Sequence, residues 1–181
     1  MTLADWVGQV EQQLVDAELF FGHGTDSAFD EAAWLVMSAA GIDPSTEPVD
    51  WQQALSDTQQ SAVKQLAERR IETRKPLAYL VKQAWFAGHE FYIDERAIIP
   101  RSHLGEWIPG RFEPWLGRTP VKEVLDLCTG SGCIAVAVAL AFPEAKIHAT
   151  DISTAALEVA GINIEQHALG QRIQLLQGDL F

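Results

Sequence analysis

A chain of 181 residues can form one large domain or two small ones, and with 48% hydrophobic residues it can bury a core without staples. Its formal charge of −12 disfavours contact with nucleic-acid backbones and suits a basic partner, although solubility alone accounts for it equally well. The two cysteines, Cys128 and Cys133, share one glycine-rich turn, which speaks against a disulfide framework and for a reducing, cytoplasmic setting. The N-terminal stretch carries early acids and no uninterrupted apolar run. It reads as neither a signal peptide nor a membrane span.

In chain order, Leu3, Val7, Val10 and Leu14 recur at helical spacing and predict a first amphipathic helix. The stretch FGHGTDSA breaks it with two glycines. Phe29, Ala32, Ala33, Val36 and Ala40 define a second helix closed by Gly41, and a polar loop runs from Asp43 to Pro48. Ser56 caps a third, turning Val63, Leu66, Ala67 and Ile71 inward, with Pro76 just beyond its end. Residues 1–80 read as a small helical domain. From Trp85 the period changes, and two aromatic-rich runs around Gly88-His89 predict a β-hairpin. An extended entry into Pro100 and a short helix, cut off by Pro109 and Gly110, make residues 81–118 a connector.

The last part, 119–181, alternates strand and helix: Val121–Leu127, Cys133–Phe142, Lys146–Asp151, Ser153–His167 and Ile173–Gly178. The run CIAVAVALAF suits a buried strand by composition, but its length and alanines favour a helix. The alternation implies right-handed βαβ units and a parallel sheet. The fold class is therefore α/β, a small helical domain followed by a Rossmann-like domain.

Three acids, Asp126, Asp151 and Asp179, fall at or just past the ends of the three strands, which share one edge in a parallel sheet. Between the first strand and its helix, Gly130 and Gly132 let a ligand approach the main chain. The spacing Gly130-x-Gly132-x-x-Ala135 also fits a dinucleotide loop, and Asp151, some 20 residues on, suits a ribose. Asp126, however, repels a pyrophosphate and attracts an ammonium. S-adenosyl-L-methionine offers an ammonium, a sulfonium, a ribose and an adenine, with no phosphate. Plainer readings stand beside this: Asp151 as a cap of the following helix, and both cysteines as small packing residues. The five histidines show no metal spacing.

VLDLCTGSGCIAVAVA, ATDIS and GDLF resemble the cofactor motifs of the class I S-adenosylmethionine-dependent methyltransferases. RKPLAYLVKQAWFAGHEFYIDERAIIPRSHLGEWI resembles the linker of the protein-glutamine N-methyltransferases, and FGHGTDSAFDEA with AWFAGHEFYIDERAIIPRS resembles the branch acting on the third protein of the large ribosomal subunit. The resemblance implies a helical substrate-recognition domain, a hairpin linker and a doubly wound catalytic domain. It implies that Asp126 and Thr129, Gly130, Ser131, Gly132 and Cys133 hold the methionine part of the cofactor. Asp151 would take the ribose, Ile152 would pack on the adenine, and Asp179 and Leu180 would lie beside it. Ile99, Pro100 and Arg101 would border the pocket, Arg101 serving equally well as a structural ion-pair residue.

The substrate so implied is a basic ribosomal protein, met by a monomer in the cytoplasm without direct binding to nucleic acid or membrane. Competing readings are a release-factor glutamine methyltransferase, a nucleic-acid amino-methyltransferase, a nicotinamide-dependent oxidoreductase and a non-catalytic cofactor-binding module. The family's Asn-Pro-Pro-Tyr motif does not occur in the sequence. The expectation is of a fragment that holds the cofactor half of the site, contains no catalytic residue and is inactive alone.

Overall fold

The computed structural model describes residues 1–43, 48–117 and 119–179. The chain divides into two compact units, residues 1–81 and 82–181.

In the first unit, α1 (Leu3–Asp16) starts at a capping box: Asp5 N–H donates to Thr2 Oγ1 at 3.2 Å, and Thr2 N–H donates to the Asp5 carboxylate at 2.8 Å. These bonds satisfy amides that the first helical turn leaves without partners. The helix buries Leu3, Trp6, Val7, Val10 and Leu14. α2 (Ala28–Ala40) is capped by Ser27 and ends at Gly41, whose φ of +67° is the left-handed stop that glycine adopts without strain. α3 (Asp57–Thr73) opens on a second capping box, Ser56 with Gln59. The polar loop before it lies partly outside the described residues.

Phe29 stands in the second helix as expected but is half exposed, and Leu66 and Ile71 of the third pack against the core, partly buried. The third helix also turns Arg70 inward, where its Nε donates to Glu31 at 2.7 Å while Nη2 reaches the Phe20 carbonyl at 3.3 Å. A buried guanidinium is tolerable only with such partners, and hydrophobic periodicity cannot announce it. Past Pro76 the chain also resumes as a short helix, α4 (Leu77–Val81).

The second unit begins with an antiparallel hairpin, β1 (Gln83–Phe86) and β2 (His89–Tyr92), turning at Gly88 with φ +81°. α5 (Leu104–Trp107) is one short turn. β3 (Glu123–Leu127), α6 (Cys133–Ala141), β4 (Lys146–Asp151), α7 (Thr154–Gln166) and β5 (Ile173–Gln177) then alternate. The strands form a parallel sheet in the order β3-β4-β5, with Leu127 opposite Thr150 and Asp151 opposite Gln177. The ambiguous apolar run is helix, and its Ala135, Val136, Ala137, Val138 and Ala139 are all buried. Small side chains let α6 lie close to the sheet, and Phe86 and Phe91 of the hairpin join the same core. The hairpin and the segment after it, read from the sequence as a connector, thus share a core with the sheet. No helix among the described residues is long and apolar enough to cross a membrane.

Candidate functional site

Parallel pairing of β3 and β4 places the end of one strand beside the end of the other, and the glycine loop grows from that edge. After Leu127 the chain turns at Cys128 with φ +58°, a conformation L-residues adopt rarely. Cys128 tolerates the turn as expected, but it is exposed and so does not pack. Cys133 is buried, and burial pushes its thiol up to about 11, so it stays protonated near neutrality.

The loop is held bond by bond. Thr129 N–H extends the ladder to the Thr150 carbonyl at 2.9 Å, and Gly132 N–H closes a turn on the Thr129 carbonyl at 2.9 Å. Gly132, at φ +77°, lies so close to α7 that an added Cβ would stand 3.0 Å from Ala160 Cβ. That glycine is needed for the turn and for the helix behind it. Gly130, also at positive φ, has open space where a Cβ would project.

Both acids brace this loop. Asp126 Oδ2 accepts from Thr129 Oγ1 at 2.6 Å. Asp151, the last residue of β4, accepts from Gly130 N–H at 2.8 Å and from Ser153 N–H at 2.9 Å. Ser153, rather than Asp151, is the cap of α7, accepting from Ala156 N–H. Burial raises the Asp126 carboxyl above its ordinary value; hydrogen bonds from Thr129 and the Ala135 backbone oppose the shift, and the charge of Asp151 adds to it. Two carboxylates on one half-buried edge form a site that gains from a cation. Between residues 124 and 171 the one lysine or arginine is Lys146, at the far end of β4. The glycine loop and the segments flanking β4 thus offer a phosphate no side chain of opposite charge.

The Ser131 side chain is buried, as is Thr129. Ile152 is 71% exposed immediately after β4, an apolar surface free to pack on a ligand. Asp179 is exposed just past β5, and Leu180 lies outside the described residues. Pro100 is half-buried, whereas the exposed Arg101 lines a cavity of about 550 Å³ with Ser102, His103, Leu104, Trp107, Phe112 and Trp115. None of the three acids lines that cavity. Among the described residues no cluster of histidine, cysteine and carboxylate has metal-site geometry.

Sequence reasoning missed Asn163, which is fully buried on α7 and reaches both the loop and the hairpin. A signal for it existed. Ala156, Val159, Ala160 and Ile164 mark the inward stripe of α7, and Asn163 interrupts it. A polar residue on a buried stripe must find partners.

Residues 9–81 match the PrmC N-terminal domain and residues 114–181 the methyltransferase small domain. The ribosomal protein uL3 glutamine methyltransferase of Burkholderia pseudomallei is 43% identical over 99% of this chain, and that of Neisseria gonorrhoeae is 42% identical over 99%. The chain is a relative of the uL3 glutamine methyltransferases. It spans 59% and 60% of the length of those two proteins. A solved S-adenosylmethionine-dependent methyltransferase from Methanococcus maripaludis is 30% identical over 41% of this chain and 34% of its own, with a TM-score of 0.36. At that score the structural likeness adds nothing to the relationship the sequences establish.

Proposed function

We propose that the chain supplies the cofactor-binding half of an enzyme that methylates a glutamine side-chain amide in a ribosomal protein of the uL3 kind, using S-adenosyl-L-methionine. The observation that carries this reading is the pair of carboxylates, Asp126 and Asp151, built into a glycine loop that has no basic residue to meet a phosphate. The names of the relatives at 42–43% identity support the same reaction.

The donor set fits the cofactor. Asp126 would receive the ammonium, and its raised carboxyl marks a charge that a cation would relieve. The N-terminus of α6, whose cap Gly132 offers no side chain, presents backbone amides and a favourable dipole to the cofactor's carboxylate. Asp151 would accept from the ribose hydroxyls while holding Gly130 and Ser153, and Ile152 would pack on the adenine. Asp179, exposed just past β5, would stand on the adenine side, and Pro100 would border the linker side; the Leu180 of that reading lies outside the described residues, and Arg101 faces a separate cavity. When bound, the cofactor supplies a methyl group already activated on a sulfonium. No nucleophilic side chain is therefore required, and the buried, protonated Cys133 is consistent with that. An amide nitrogen is a weak nucleophile, so the protein's task is to orient it and exclude water, and positioning lowers the barrier by several kcal/mol or about that order.

The acidic balance suits a basic substrate protein; the reading is of a monomer that meets it in the cytoplasm. The test is calorimetric titration of the full-length protein with S-adenosylmethionine and with NAD. Binding of the first alone is expected; binding of NAD with comparable affinity would replace this reading with the oxidoreductase one.

A further inference from the structure

Asn163 stands on α7, more than two turns beyond the Ser153 cap that Asp151 holds. Its fully buried carboxamide makes three hydrogen bonds. Tyr92 N–H donates to Oδ1 at 2.7 Å, and Nδ2 donates to the Tyr92 carbonyl at 3.0 Å and to the Ser131 carbonyl at 2.8 Å. The orientation of the amide is fixed by chemistry: the Tyr92 amide can only donate, and the two carbonyls can only accept. The side chain therefore pairs with Tyr92 as the peptide group of a neighbouring strand would. Its remaining hydrogen grips the glycine loop.

The gripped peptide is decisive. The Ser131 carbonyl and the Gly132 N–H belong to one peptide group, and the N–H end is already bound to the Thr129 carbonyl. Asn163 thus holds the other end of the plane that closes the loop. On its far side it holds the last residue of β2, from which the chain runs to Ile99, Pro100 and Arg101. The same helix braces that segment on either side of Tyr92. Glu158 pairs with Arg96 at 2.7 Å, and the His167 ring nitrogen lies 2.9 Å from the Glu90 carbonyl. Of these three side chains, Asn163 alone bonds both the loop and the hairpin.

We infer that Asn163 is a positioning residue that couples the glycine loop to the hairpin and the linker beyond it, so that a ligand ordering the loop also orders residues 83–97. This rests on the reading of the crevice as the S-adenosylmethionine site. No other side chain does the same work: leucine has the volume without the bonds, and aspartate keeps the acceptor for Tyr92 N–H but loses both donations.

The experiment is hydrogen exchange on the full-length protein with and without saturating S-adenosylmethionine, with the affinity measured by calorimetry. In the wild type, cofactor is expected to slow exchange in residues 128–132 and, by about tenfold, in residues 83–97, where no cofactor contact is proposed. In Asn163→Ala the affinity is expected to fall by about tenfold, one lost buried hydrogen bond's worth. At saturation the slowing at 128–132 should persist while that at 83–97 disappears. Asn163→Asp, equal in shape, should behave likewise and serves if the alanine variant does not fold. A merely structural role would lower thermal stability while leaving the cofactor-dependent slowing of the hairpin in place. That result in either variant, or a wild-type hairpin indifferent to cofactor, overturns the inference. A wild type that binds no cofactor is seen first by calorimetry and defeats the functional reading itself, the inference falling with it.

Discussion

Replacing Asp151 by alanine removes one acceptor from two backbone donors, Gly130 N–H at 2.8 Å and Ser153 N–H at 2.9 Å. Hydrogen bonds to a charged group contribute about 1.5–3 kcal/mol each, and the half-exposed position of this carboxylate favours the lower end. Two such bonds therefore amount to about 3 kcal/mol. Against this, removing a neighbouring negative charge relieves Asp126, whose ionised form Asp151 disfavours, by an amount that solvent screening keeps below about 1 kcal/mol. The net expectation is a loss of about 2 kcal/mol of stability, read as a lower urea midpoint at unchanged slope. Because the lost bonds also shape the loop, cofactor affinity should fall by more than a ribose contact explains. The separating control is Asp151→Asn, which keeps a neutral acceptor for one of the two donors and should lie between alanine and wild type in both measurements. An alanine variant with the wild-type midpoint would show that Asp151 does not brace the loop, and with unchanged affinity the ribose assignment would fall too.

Further predictions follow from the same loop and from the helical unit. The folded-state carboxyl of Asp126 titrates above the ordinary value of 3.8, so ionising it costs the ligand-free protein stability. That stability is fully present below the ordinary value and is lost as pH rises through the raised one. Asp126→Asn should therefore match the wild type in acid, melt higher than it near neutrality, and bind S-adenosylmethionine far more weakly; a lower melting temperature near neutrality would contradict this. Gly132→Ala forces a side chain into positive φ against Ala160 and should cost about 1–3 kcal/mol by denaturant titration, whereas a neutral effect would mean the loop can retreat from α7. Glu31→Gln leaves the buried Arg70 without its counter-charge and should destabilise the helical unit by about 3–5 kcal/mol, measured by urea unfolding followed through the tryptophans; a change under 1 kcal/mol would show that the guanidinium finds water.

How far the sequence alone leads differs from element to element. Strands and helices of the second unit were legible because β4 has clear flanks and α6 is too long and too alanine-rich for a strand. The caps Thr2 and Ser56 follow a chemical pattern, of which only Ser56 was read in advance. What the sequence does not show is the side-chain contacts with partners far along the chain. Arg70 looks like a solvated helix residue until Glu31, 39 positions earlier, is seen beside it. Asn163 pairs with Tyr92 across 71 positions. The acids at the site were found because strand ends converge by topology, but their bracing of the loop was not, since Asp151 reaches Gly130 across 21 positions. Cys128 and Cys133 share one turn, and which of them packs depends on the helix that Cys133 begins, so the exposure of Cys128 is not legible from its residue type.

The central claim is tested most directly by incubating the full-length protein with S-adenosylmethionine and an unmodified ribosomal protein of the uL3 kind, then locating the added mass by peptide sequencing in a mass spectrometer. The account predicts a single methyl group on a glutamine side chain, absent when Asp126→Asn replaces the wild type. A methyl group on another residue type, or on RNA in the same mixture while the protein stays unmodified, would contradict it.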